Sequence, residues 1–210
     1  MKRHAASDSR STETDSSPRH IALPCSRRRN STRLGRRPDI FHSIPGDPLH
    51  GLQNVVVEYY DVSGTDEQSI NASIQSNSPR RPDGSWALGQ TRYTSRYRPL
   101  QMTTKGVCKV VKLDSQLGAI VVLPRLVAES SVPQRIRAKW GPFIAGLKEH
   151  EAGHIRLSYQ HIHDFGVAIV GTNCSHYKAA YDADEAASRA TQNAYDRETD
   201  SGATQGAVLQ

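Results

Sequence analysis

The stretch WGPFIAGLKEHEAGHIRLSYQHIH, Trp140 to His163, decides how this chain is read. Trp140, Phe143, Ile144, Leu147, His150, His154, Leu157 and His161 recur at steps of three and four, the mark of one face of an α-helix. Inside it, His150-Glu151-Ala152-Gly153-His154 is an HExxH motif. Residues four apart on a helix stand on one face about 6 Å apart, close enough for two imidazoles to share one metal ion. Zinc takes neutral imidazole nitrogen and keeps an open position in catalytic sites. Glu151 follows the first ligand directly and is placed to act on water as a general base. Because both histidines lie on the apolar stripe, they are expected to point into protein.

Working outward, Pro133 suits the first turn of this helix, which is expected to run to about Val170 with a kink near Gly141-Pro142. A second helix is expected from Tyr177 to about Asp196. Upstream, Asn54 to Val62 is rich in β-branched and aromatic residues and reads as a first strand ending at Gly64. Thr65-Asp66-Glu67-Gln68 has a capping-box pattern that opens a helix through about Gln75. After a Pro- and Gly-containing loop at Ser78 to Gly84, three further strands are read at Ala87 to Arg98, Gly106 to Leu113 and Ala119 to Leu123. The short links between them favour an antiparallel meander. Strands first and helices after give an α+β domain: a small antiparallel sheet of about four strands packed with helices, zincin-like in outline.

Residues 1 to 50 differ from the rest. They hold ten Lys or Arg against five Asp or Glu, are dense in Ser, Arg and Pro, and show no apolar periodicity, as expected of a disordered arm. The arm carries +5 of the net +6, so residues 51 to 210, the expected domain, are nearly neutral. Arg27-Arg28-Arg29 and Arg36-Arg37 have no stacking aromatics beside them, so no specific nucleic-acid partner is expected. No apolar run has the length of a signal peptide or a membrane span. Of the three cysteines, Cys108 in a predicted strand and Cys174 beyond the long helix can form one bridge in an oxidising compartment, leaving Cys25 unpaired in the arm.

Two histidines leave a third metal ligand to find. His161 lies eleven residues after His150, about 16.5 Å along an unbroken helix, whereas two histidines on one metal span about 12 Å at most. It is excluded. The metzincin arrangement, with glycine and then histidine at three-residue steps beyond the motif, meets Leu157 and Gln160 here and fails. A gluzincin takes a Glu from the following helix, and Glu185 lies about where that residue comes from. His176, Asp182 and Asp196 are further options.

With these residues in view, the chain resembles the bacterial family of predicted secreted zinc-dependent proteases, a domain of unknown function with an HExxH motif. The resemblance covers about Val55 to Gln210. It rests on Tyr60-Asp61-Val62-Ser63-Gly64-Thr65, Gly89-Gln90-Thr91-Arg92-Tyr93, the cysteine at 108, Leu123-Pro124, Trp140-Gly141-Pro142-Phe143 leading into the motif, and the ending Tyr195-Asp196-Arg197-Glu198-Thr199-Asp200, Gly202 and Gln205-Gly206-Ala207. It implies a periplasmic or secreted zinc peptidase, with His150 and His154 as ligands and Glu151 as catalytic base. The resemblance implies a histidine before the final glycine in many relatives, where this chain has Ser201. If that histidine is a ligand in them, Asp196, Glu185 or a water takes its place here.

The expected function is a zinc-dependent endopeptidase acting on a peptide or protein substrate, with Tyr177, Tyr181, Tyr195 or His176 available to stabilise an oxyanion. The rival expectations are a catalytically inactive binding module of the cell envelope, supported by Ser201, and a zinc amidase acting on cell-wall peptides.

Overall fold

The computed structural model describes residues 46–81 and 84–209. Most of the basic arm, with Cys25, lies outside the described residues. The elements in chain order are β1 (Val55–Val62), α1 (Glu67–Asn77), β2 (Gln90–Thr104), β3 (Val107–Leu126), α2 (Gln134–Ile169) and α3 (Tyr177–Glu198), joined by short 3-10 turns. This is the α+β arrangement expected, with three strands in the sheet.

The sheet order is β1-β3-β2. β2 and β3 form a long antiparallel hairpin, while β1 runs parallel to β3, from Val55 opposite Ala119 to Val62 opposite Leu126. The sheet is therefore mixed. The two strands expected at Gly106–Leu113 and Ala119–Leu123 are one, because Asp114 to Gly118, turn-like in composition, pair with Arg98 to Thr94 of β2. β3 takes the central place because Ala119 to Leu123 is its most apolar stretch. A strand with a partner on each side is the one best shielded from water.

α1 starts one residue later than its sequence pattern suggests. Asp66 is the N-cap, accepting from the Ser69 backbone N–H, and the Ser69 side chain returns a bond to the cap backbone. Ile70 and Ile74, one turn apart, are its buried residues.

α2 is continuous from Gln134 to Ile169 with Pro142 inside it. Phe143, Leu147 and Ile155 are almost fully buried against Val62, Val121 and Leu123, in one core with Ile70, Ile74, Ala207 and Leu209. Each side chain so buried contributes about 1.5–3 kcal/mol. The opposite face of the sheet carries the exposed Arg92–Glu58 ion pair at 3.0 Å. Leu49 also enters the core and Asp47 pairs with Lys148 at 2.8 Å, so packing reaches a few residues ahead of position 51.

A second cluster, Val110, Phe165 and Ile169 with Tyr97, Tyr177 and Tyr181 around them, joins the far end of the hairpin to α2 and α3. There Cys108 and Cys174 form a disulfide. Among the described residues, no helix is long and apolar enough to cross a membrane.

Candidate metal centre

Between Leu147 and Ile155, α2 is covered on more than one side. The sheet takes Leu147 and Ala152, α3 crosses the face bearing the histidines, and the C-terminal turn closes over Gly146. His150 and Glu151 are 4% and 3% exposed, which makes them the buried polar centre of the helix.

α3 meets this centre with a polar stripe. Gln192, Tyr195, Asp196 and Thr199 stand at i, i+3, i+4 and i+7, so they share a face, and all four are partly buried. The stripe places Asp196 Oδ1 3.0 Å from His154 Nε2 and 3.3 Å from His150 Nε2, with the two imidazole nitrogens 3.1 Å apart. Three donor atoms thus form a nearly equilateral triangle. Ligands about 2.05 Å from a tetrahedral ion stand about 3.3 Å from one another, so the triangle has the size of one face of such a coordination shell. The group could hold a metal ion.

The far sides of the rings are fixed by two glutamines. Gln192 Nε2 donates to the backbone carbonyl of His154 at 3.1 Å and to Ser158 Oγ at 2.9 Å, which leaves its Oε1 facing His154 Nδ1 at 2.5 Å. A carbonyl oxygen only accepts, so Nδ1 carries the proton of the neutral ring, whose Nε2 lone pair is free for a metal ion, whereas the protonated ring donates from Nε2 to Asp196 Oδ1. Gln205 does the same for His150, with Oε1 3.0 Å from Nδ1 and Nε2 donating to Tyr195 Oη at 3.0 Å. Outer hydrogen bonds of this kind orient metal-binding histidines.

Tyr195 stacks on His150 with centroids 5.2 Å apart and planes 9° apart. Its approach needs Gly153, since a Cβ there would lie 1.9 Å from Tyr195 Oη. The glycine of the motif is thereby explained by packing.

Glu151 turns toward the start of β2. Thr91 Oγ1 donates to its Oε2 at 2.6 Å, and Gly89 lets the strand pass so closely that a Cβ there would lie 2.6 Å from Oε1. Burial pushes the Glu151 pKa up, against the Thr91 hydrogen bond and the two imidazoles. Asp196 is held far below the usual carboxylate range by its hydrogen bonds to His150 and His154, so it is anionic. Burial works to lower the His154 pKa, but the bonds to Asp196 and Gln192, with Glu151 nearby, outweigh it and leave it raised.

His150, Glu151, His154 and Asp196 open on a cavity of about 410 Å³, whose walls include Trp86, Leu88, Thr91, Tyr93, Gln192 and Ser201. Of the third-ligand candidates, the structure brings Asp196 to the histidines and leaves Glu185 on an adjoining cavity, 3.7 Å from Arg189. Asp182 pairs with Lys178, and His176 lies in the 3-10 turn after α2. His161 bonds Thr191 at 3.0 Å and takes no part in the triangle.

The oxyanion candidates fare differently. Tyr177 and Tyr181 belong to the second cluster and Tyr195 packs behind His150, whereas the phenol that lines the cavity is Tyr93. Tyr93 is about a third exposed, at 36%, but desolvation of its hydroxyl end, with Glu151 and Asp196 nearby, outweighs a hydrogen bond with Ser158 and raises its pKa, so it remains an O–H donor. Tyr93, Thr91, Gln192 and Gln205 are site residues that the sequence reading does not name as such. The 192, 195, 196, 199 spacing on α3 was the available signal for one of them.

No curated protein and no solved structure matches the chain. A family model does match, over residues 57–203, from β1 through the motif and α3 to the C-terminal turn, and its description is "Bacterial protein of unknown function (DUF922)". The chain belongs to that bacterial family.

Proposed function

We propose that this protein is a zinc-dependent endopeptidase of the periplasm or the exterior of the cell. The observation that carries the reading is the triangle of His150 Nε2, His154 Nε2 and Asp196 Oδ1 beside the buried Glu151, all on one cavity. Two neutral imidazoles and one carboxylate are the ligand class of catalytic zinc peptidases. Bound zinc would supply Lewis-acid polarisation of a carbonyl and make water acidic near neutral pH. The donor triangle stands complete with serine at 201, which favours the active reading over the inert module.

The chain's own groups then have distinct tasks. Glu151, its plane fixed by Thr91, accepts the proton of the attacking water and delivers it to the leaving amine. The Tyr93 hydroxyl donates to the oxygen on which negative charge develops. Gln192 and Gln205 hold the rings with Nε2 inward. β2 lies at the sheet edge, and its first residues, Gln90, Thr91 and Tyr93, line the cavity, so an extended peptide is positioned by main-chain pairing along it. The Cys108–Cys174 disulfide supports an oxidising compartment.

The test is hydrolysis of casein, beside peptidoglycan fragments, by the full chain and by Glu151→Gln. The expected result is casein cleavage that falls by about 10²–10⁴-fold in the variant while its zinc content is unchanged. Cleavage of peptidoglycan fragments alone would replace the endopeptidase reading with an amidase. Undiminished activity in Glu151→Gln would remove the mechanism.

A further inference from the structure

The far end of the β2–β3 hairpin carries a surface with no part in the metal centre. Gln101 opposite Val110 and Thr103 opposite Cys108 face the helices, since Val110 is buried with Phe165 and Ile169 and Cys108 is bonded to Cys174. Strand alternation therefore sends Leu100 and Met102 to the other face, with Lys109 across from Met102 and Val107 across from Thr104. Leu100 and Met102 are each 56% exposed and Val107 49%. A register shift after Leu100 leaves Val111 as an extra, exposed residue beside them.

These apolar side chains stand among cations. From Arg96 to Leu113 the chain has Arg96, Arg98, Lys105, Lys109 and Lys112 and no Asp or Glu. Lys112 pairs with Asp114 at 2.5 Å, whereas the other four have no ion-pair partner among the described residues. The surface is also rigid. Besides the disulfide, Val110 N–H donates to Thr172 O at 3.0 Å and Gly171 N–H to Val110 O at 2.7 Å, so binding would order little.

We propose that this face of the hairpin docks on an anionic phospholipid membrane. Exposed aliphatic side chains enter the boundary between headgroups and acyl chains, and long basic side chains keep their charges at the phosphates. The uniform sign of the unpaired charges matches a uniformly anionic surface. The apolar part of the patch rests on Leu100, Met102, Val107 and Val111, far fewer than the roughly 20–30 residues a side of a stable protein interface. Thr91 and Met102 are eleven residues apart on β2, about 37 Å of extended chain, so the cavity stands clear of the bilayer.

The test is co-sedimentation of the full chain with vesicles of phosphatidylcholine, alone or mixed with phosphatidylglycerol. The expected result is binding to the mixed vesicles only, released by high salt. Combined Leu100→Ser, Met102→Ser and Val107→Ser should lower the partition coefficient about tenfold or more, and Lys105→Gln and Lys109→Gln about fivefold each. These positions are exposed, and unchanged circular dichroism verifies that the variants fold. As an independent readout, tryptophan fluorescence of Met102→Trp should shift to the blue on mixed vesicles and not on phosphatidylcholine. Variants that bind as well as the parent, as when the arginines of residues 1–50 carry the attraction, would overturn the proposal. So would failure of the full chain to bind mixed vesicles, which would leave a protein partner for this face.

Discussion

Gln192 grips His154 at two points, accepting from the ring at Nδ1 and donating to the same residue's backbone carbonyl. One side chain of α3 thus sets both the tautomer and the rotation of a ring on α2. Removing it by Gln192→Ala should weaken zinc binding about 10- to 100-fold, the usual cost of losing such an outer partner. Competition with a chromophoric chelator measures this. Unchanged affinity would show that the ring needs no such support.

Thr91 bears on Glu151 and not on the donor triangle. Hydrogen bonds to charged groups contribute about 1.5–3 kcal/mol, so Thr91→Val should cut kcat about tenfold or more with zinc content unchanged, and Thr91→Ser should restore it. Loss of zinc from Thr91→Val would place the threonine's effect on the metal centre instead.

Gly153 and Tyr195 test the packing behind the site. In Gly153→Ala the methyl group would lie 1.9 Å from Tyr195 Oη, and overpacking of this kind costs about 1–3 kcal/mol. Thermal denaturation should show a lower Tm. An unchanged Tm would mean that α3 is free to move away from α2.

The legibility of this molecule in its sequence follows the range of the interactions. The α2 helix, its His150–Glu151–His154 face, and the helical span of α3 rest on local periodicity and could be read directly. The Cys108–Cys174 pairing was available because two of three cysteines fall in the domain. The merging of two expected strands into β3 was not legible, because Asp114 to Gly118 are turn-prone in isolation and only the partner residues Arg98 to Thr94 hold them extended. Parallel pairing of β1 with β3 is likewise invisible to local pattern. Asp196 could be named only as one of several candidates, since hydrophobic periodicity does not register a face whose buried atoms are polar.

The disulfide closes a separation of 66 residues between β3 and the 3-10 turn that follows α2. Loop-closure entropy for that length gives about 4 kcal/mol, so Cys174→Ala should lose roughly that much in urea unfolding and still bind zinc. A loss of zinc as well would show that the two ends of the domain depend on each other.

The most direct measurement of the central claim is the metal content, by mass spectrometry, of the full chain beside Asp196→Ala and Glu185→Ala. About one zinc per chain is expected in the parent and in Glu185→Ala, and little in Asp196→Ala. Full occupancy without Asp196, or no zinc in the parent even after it is supplied, would contradict the assignment of His150, His154 and Asp196 as the metal centre.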